Sequence, residues 1–233
     1  MSTRAGGVSC GVFDSLNLGT AVGDDPARVA ENRARFARAL GAAPTFLKQV
    51  HGRHVVRLPT TEALPEADAC VTTEPGVACV IQVADCLPVL LAAPEARGVA
   101  AAHAGWRGLA GGVLEAAVEA LCKAAGCAPA EVEAWLGPCI GPRRFEVGAD
   151  VLEGFGLAPG TTHPRFVPQG AGKWLADLPG LARDRLQALG VARVDGGTWC
   201  TVEDASRFFS FRRDRPRHGN SGRLAAAIWI TAA

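Results

Sequence analysis

Between residues 45 and 104 the chain is a series of short apolar runs punctuated by Gly, Pro and Asp. FLKQV, HVVRL, ACVTT, VACVIQV, LPVLLAA and GVAAAHA are rich in Val, Leu and Ala, have the length of strands, and predict a largely buried sheet. Ahead of them the period changes. Val29, Phe36 and Leu40 share one helical face over residues 25–40, Asp25 can cap that helix, Pro26 suits its first turn, and Gly41 ends it. Residues 109–125 and 174–189 carry two more helical patterns, VEAWLG a strand, and residues 208–211 and 224–230 late strands. Strands followed by helices predict a mixed α/β (α+β) core whose helices cover sheets. No internal repeat, low-complexity tract or long linker interrupts it, so residues 1–233 are expected to form one domain.

Composition narrows the class. Hydrophobic residues make up 48% of the 233 positions and charged ones 20%, enough to bury a sizeable interior. The formal net charge of +1 gives no electrostatic case for nucleic acid or an anionic membrane. The opening MSTRAGGVSCGVFDSLNLG has no long apolar run, and the closing LAAAIWITAA is about half the length a bilayer span needs. The expectation is a cytoplasmic protein with no membrane partner, a monomer or homodimer. Its eight cysteines would be reduced there. None forms a CxxC pair, which removes zinc ribbons and thioredoxin-like motifs, and most read as small core residues.

The candidate chemistry lies at strand ends. Of five histidines, His51 sits in KQVHGRH and His103 in AAHAGWRG. Between them VADCLPVLL carries Cys86, preceded by Asp85. The glycines allow close backbone approach, and Arg107 offers a fork for an anion. His51, Cys86 and His103 suit Zn²⁺, with a fourth position open to water or substrate. Their spacing matches no short metal motif. From the residues alone a buried cysteine beside two hydrogen-bonded histidines reads ahead of the metal site, and a Cys–His nucleophile pair stays open as well.

A resemblance adds to this. KQVHG, ADAC, ADCLPVLL, HAGWRG, LGPCIGPRRFEVG and CTVEDASRFFSFRRD resemble, in order, the signature blocks of the YfiH/YlmD laccase-domain family. GGVSCGVFDSLNLG with GDDPARVAENR, and GNSGRLAAAIWI, are similar to its first and last blocks, so the likeness spans nearly the whole chain. The resemblance implies two stacked mixed sheets flanked by helices, a four-layer sandwich. It also implies zinc held by His51, Cys86 and His103, with Cu²⁺ as an alternative ion. Where some members have two cysteines after the GP.IGP block, this chain has Arg143 and Arg144, so no ligation is assigned there.

The family carries conflicting activities. The resemblance implies purine nucleoside phosphorolysis, on adenosine, inosine, guanosine and methylthioadenosine, with adenosine deamination; the partners are then purine nucleosides and phosphate. It also implies copper-dependent polyphenol oxidation, but a multicopper centre needs far more histidines than five. A third reading makes Cys86 a nucleophile and His103 its base, in a hydrolase or amidase acting on a cell-wall precursor. That reading competes with zinc for one sulfur. A binding module using the pocket for regulation is the non-enzyme reading. Among supporting residues, Arg107 is a candidate phosphate clamp and catalytic residue, and Gln49 a candidate for the purine edge. Asp85 is a candidate to orient an imidazole. Trp106 stacks on a base or packs, and Arg212 and Arg213 line a pocket or form surface ion pairs. His54, His163 and His218 read as surface residues.

Overall fold

The computed structural model describes residues 1–231; Ala232 and Ala233, the end of the expected domain, lie outside the described residues. The strands are β1 (Ala43–Thr45), β2 (Val55–Leu58), β3 (Ala69–Thr72), β4 (Val77–Val83), β5 (Leu87–Ala92), β6 (Val99–Ala104), β7 (Glu133–Leu136), β8 (Glu146–Val147), β9 (Phe166–Gly170), β10 (Lys173–Ala176), β11 (Arg193–Gly196) and β12 (Leu224–Ile228). The helices are α1 (Pro26–Leu40), α2 (Trp106–Ala110), α3 (Val113–Ala125), α4 (Ala149–Gly154), α5 (Leu178–Ala188) and α6 (Phe211–His218).

The central sheet has six strands in the order β11-β7-β5-β6-β3-β2 and is mixed, with parallel pairs at both edges and antiparallel pairs within. Alternation of side chains splits its residues into two sets. Ala69, Val71, Leu87, Val89, Ala100 and Ala102 pack under Leu114, Val118 and Leu121 of α3. Cys70 and Ala101 turn the other way, onto Cys79, Ile81 and Val83 of β4. β4 is the middle of a second mixed sheet, β1-β4-β12, whose far side packs Ala78, Val80 and Ala225 against Phe36 of α1. The expected α/β sandwich of two stacked mixed sheets between helical layers is therefore present. A third sheet, β8-β10-β9, is antiparallel and adds to it.

Four expected elements differ. Residues 46–50 form no strand: Lys48 makes a single bridge to Glu66, and the Asp68 carboxylate takes the backbone N–H groups of Val50, His51 and Gly52. The helix expected over 109–125 breaks at Gly111–Gly112, where Gly112 has φ 92°. Trp174 belongs to β10, and α5 begins only after Asp177, whose side chain accepts from Gly180 N. Residues 208–211 are not a strand. Phe208 and Phe209 are buried without a ladder, and Ser210 caps α6 by accepting from Arg213 N.

Register positions the chemistry. β5 and β6 pair antiparallel with Leu87 opposite Ala104 and Pro88 opposite His103, so Cys86 comes opposite Gly105. His103 shares the parity of Ala101 and faces the interface between the sheets.

A candidate metal centre

Three segments deliver the candidate ligands. His51 lies on the loop that Asp68 organises, with a left-handed φ of 62°. Such a conformation costs energy in a non-glycine residue and is held there by three N–H groups converging on one carboxylate. Cys86 follows Asp85, also left-handed at φ 85°. The Asp85 carboxylate accepts from Thr201 Oγ1 at 2.5 Å and Arg212 N at 2.6 Å, which fixes that turn. His103 is buried on β6.

Cys86 Sγ is 3.8 Å from His51 Nε2, and the His51 and His103 rings meet edge to face with centroids 4.7 Å apart. One ligand atom from each of the three residues lies within 4.8 Å of the others. A tetrahedral zinc site with bonds of about 2.0–2.3 Å needs edges nearer ~3.5 Å, so the donors would close inward by an ångström or less. The donor set, two imidazoles and a thiol, fits Zn²⁺ and also Cu²⁺. Among the described residues no other group of three or more His, Cys, Asp or Glu side chains lies close enough to hold an ion.

Asp68 ties the set together. It is fully buried and takes His103 Nδ1 at 2.8 Å in addition to its three backbone donors. Burial would raise its carboxyl, but the hydrogen bonds from His103 and Gly52 outweigh that and hold it below the usual range. Anionic Asp68 fixes the proton on His103 Nδ1 and leaves Nε2 for the site. Burial would likewise raise the Cys86 thiol; the charge and hydrogen bond of His103, with His51, pull it instead to about 6. For His103 burial lowers the value, and Cys86 and Asp68 raise it to about 9. The group favours a thiolate, the form that binds metal or attacks an electrophile.

These side chains open onto a pocket of about 400 Å³. Arg33 of α1 and Arg223 before β12 also line it. Arg33 donates Nε to Leu18 O at 2.9 Å and stacks on Phe46, and Arg223 donates to Ser221 O at 2.8 Å. Neither has a carboxylate within ion-pair distance among the described residues, and burial holds both guanidiniums below their ordinary value. Two half-buried cations therefore face the cavity with no carboxylate ion-paired to either among the described residues; the negative groups that act on Arg223 are Cys86 and Asp85.

Arg107, expected as the clamp, is exposed on α2, stacks on Trp106 at 4.2 Å, and is not among the lining residues, because the helix turns it outward. Gln49 does line the pocket, but its amide both donates to Gln82 O and accepts from Gln82 N, at 2.8 Å each, so its hydrogen bonds brace the loop against β4. Asp85 orients a turn and no imidazole; that role is Asp68's. His54 is exposed and bonded to Glu66 O, away from the site. Arg213 serves structure, bonded to Asp214 and to the carbonyls of Thr201 and Phe208, whereas Arg212 lines a second, smaller cavity with Trp106. His163 bonds Arg165 N, and His218 ends α6 exposed. Asp68, Arg33, Arg223 and Phe211 are the lining or supporting residues that sequence reasoning missed. A signal existed for Arg33. The adjacent Asn32 is a polar residue on the apolar face of an amphipathic helix, where it bonds Ser9, Ser15 and Asn17.

The similarity to known proteins runs over nearly the whole chain. A family model described as multi-copper polyphenol oxidoreductase laccase matches residues 1–231. A purine nucleoside phosphorylase of Pseudomonas aeruginosa is 48% identical over 99% of this chain and 92% of its own length. The purine nucleoside phosphorylase YfiH of Escherichia coli is 47% identical over 98% and 92%. Among solved structures, a Neisseria meningitidis protein superposes with a TM-score of 0.90 at 45% identity, covering 99% of this chain and 92% of that one. YlmD from Geobacillus stearothermophilus does so with 0.89 at 34% identity, covering 99% and 90%.

Proposed function

The chain belongs to the family described as multi-copper polyphenol oxidoreductase laccase, and within it we propose that this protein is a zinc-dependent purine nucleoside phosphorylase that also deaminates adenosine. The observation that carries the reading is the His51–Cys86–His103 group opening onto a pocket that is also lined by Arg33 and Arg223, neither of them ion-paired to a carboxylate among the described residues. Relatives named purine nucleoside phosphorylase support the substrate class, here adenosine, inosine, guanosine and methylthioadenosine with phosphate. The residues fit zinc, which when bound supplies Lewis-acid charge and lowers the pKa of water to about 7. Copper at the same donors is the alternative ion.

This chain's residues divide the work. Arg33 and Arg223 bind and orient hydrogen phosphate. Asp68 holds the His103 ring, and Phe211 with Leu47 excludes water from part of the pocket. In phosphorolysis the glycosidic C–N bond breaks with its electron pair going to the base. A phosphate oxygen bonds the ribose carbon, and the phosphate proton ends on the base nitrogen. Deamination consumes water and releases ammonia, so it needs no phosphate.

Adenosine turnover with and without phosphate tests this. Adenine and ribose 1-phosphate should form in equal amounts only with phosphate, and inosine should form without it. Arg223→Ala should raise the KM for phosphate about tenfold or more and spare deamination, while Arg107→Ala should leave both near wild type. Adenine release at equal rate without phosphate would make the protein a nucleoside hydrolase. Copper-dependent oxidation of phenols with no nucleoside turnover would give the oxidase.

One observation favours a second reading. Cys86, His103 and Asp68 stand in the order nucleophile, base and orienting acid, as a cysteine hydrolase or amidase requires. Metal-free protein that is fully active and loses activity on alkylation of Cys86 would establish it over the zinc enzyme.

A further inference from the structure

Two cysteines outside the candidate metal centre stand opposite one another beside it. Cys139 follows β7, Cys200 follows β11, and the two are partners in an isolated parallel bridge. Cys139 N donates to Trp199 O at 3.4 Å, and Thr201 N donates to Cys139 O at 2.9 Å. Partners in such a bridge have Cα atoms about 4.8 Å apart and side chains on one face, and a disulfide spans Cα separations of roughly 4.4–6.8 Å. Gly141 N donates to Cys200 Sγ at 3.2 Å, so that sulfur lies against the segment carrying Cys139. A Cβ at Gly141 would sit 3.1 Å from Cys200 Cβ, a measure of how closely the two segments meet. Burial raises the Cys139 thiol, and Cys200 is first among the charges that raise it further. The same two segments hold the turn that presents Cys86. Ile140 N, one residue after Cys139, donates to Asp85 O at 2.9 Å. Thr201 Oγ1, one residue after Cys200, donates to Asp85 Oδ1 at 2.5 Å. Asp85 is the left-handed residue directly before Cys86, so movement of one segment toward the other is passed to that turn.

We propose that Cys139 and Cys200 are a redox site, oxidised by a small disulfide to an internal cross-link that loosens the His51–Cys86–His103 group. The coupling to that group rests on the metal reading of it, and the cross-link does not. Cys139 is fully buried and Cys200 only half-buried, so an oxidant in solution meets Cys200 first. Cys200 Sγ, as the thiolate, attacks one sulfur of the small disulfide. A new S–S bond forms, and the other half leaves as a thiolate and takes up the proton that Cys200 lost. Cys139 Sγ then attacks Cys200 Sγ and expels the second half, which takes up the proton of Cys139. Two protein thiols are oxidised, and one small disulfide is reduced to two thiols. The Cβ atoms of a disulfide lie about 3.8 Å apart, closer than the ~4.8 Å between paired strands. The two segments therefore draw together, and the Asp85 turn that both of them hold shifts Cys86 away from the two histidines.

The test treats zinc-loaded full-length protein with millimolar oxidised glutathione and maps its peptides by mass. In wild type the peptides carrying Cys139 and Cys200 should be joined, and should separate again after reduction. In Cys200→Ser they should stay separate. Cys139→Ser should carry glutathione on Cys200 and no cross-link, so the test survives if Cys200→Ser fails to fold. Zinc affinity, measured against a chelator, should fall about tenfold or more when wild type is oxidised, recover on reduction, and stay unchanged in Cys200→Ser. Treated protein in which Cys139 and Cys200 remain free, or in which glutathione sits on Cys86 instead, overturns the site. A cross-link that leaves zinc affinity unchanged overturns the coupling, as does an equal fall in Cys200→Ser. Wild type that binds no zinc in either state removes the metal centre and the coupling with it, whereas the cross-link is read by mass and stands or falls without a metal.

Discussion

Gly105 faces Cys86 across the β5–β6 pair, and a Cβ built there would lie 2.8 Å from His51 Cδ2 and 3.1 Å from Cys86 Sγ. Gly105→Ala should therefore push two candidate ligands apart with the rest of the fold unchanged. Zinc affinity measured against a chelator is expected to drop by about 10–100-fold, the range for disturbing the support of a ligand set. An unchanged affinity would mean that the ion, if bound, sits elsewhere. Asp214, on α6, sets a pH dependence of stability. Burial would raise its carboxyl, but Arg213, Ser221 and Ser210 N outweigh burial and hold it below the ordinary value of 3.8. A depressed folded-state value means its stabilisation is fully present above the unfolded pKa and is lost as pH falls through the folded one. Asp214→Asn should cost roughly 1.5–3 kcal/mol in denaturant titrations at pH 7, with the gap to wild type closing below about pH 4. A gap that does not shrink at all as pH falls would trace to packing and not to charge.

Among the elements, those with local signals were legible. The capping of α1 by Asp25, with Pro26 and Gly41 at its ends, is as the sequence predicts. The apolar runs of β3, β5 and β6 are strands of the central sheet, and β4 of the second, because both faces of each are covered. The run at 46–50 misled because its apolar content is real but its N–H groups go to Asp68. Gly111–Gly112 inside an apolar period hid the break between α2 and α3. That break lets α2 swing Trp106 toward the second cavity while α3 lies along the sheet. Gly112→Ala would put a side chain on a φ of 92° and should cost about 1–2 kcal/mol, or roughly 3–6 °C in a chain of this size. Thermal unfolding checks this, and an unchanged midpoint would show that the linker relaxes freely.

For the whole molecule, the candidate ligands bind together a loop, the start of β5 and the end of β6, all close to the interface between the two stacked sheets. An ion that binds only the folded arrangement stabilises it by mass action, about 2.7 kcal/mol at a hundredfold excess over its dissociation constant. Zinc should then raise the unfolding midpoint by roughly 5–10 °C, in one cooperative transition if residues 1–231 share one core. Cys86→Ala should abolish the increment. A rise of the same size in that variant would place the stabilising ion at another site.

The sequence by itself determined the residue types and the local periods. It supplied His51, Cys86 and His103 at element ends, the buried strands between them, and blocks specific enough to mark a family. Those features depend on neighbours a few residues apart, so they can be read along the chain. Only the tertiary structure decided which carboxylate orients His103, which arginines face the pocket and where Trp106 points. Asp68 and Asp85 each precede a strand and look alike in sequence, but only Asp68 reaches Nδ1 of His103. Arg33 and Arg223 are far apart along the chain and become one cationic wall because α1 and β12 belong to the same side of the sandwich. Charge that is distant in sequence has no period to reveal it, and sheet stacking alone brings it together.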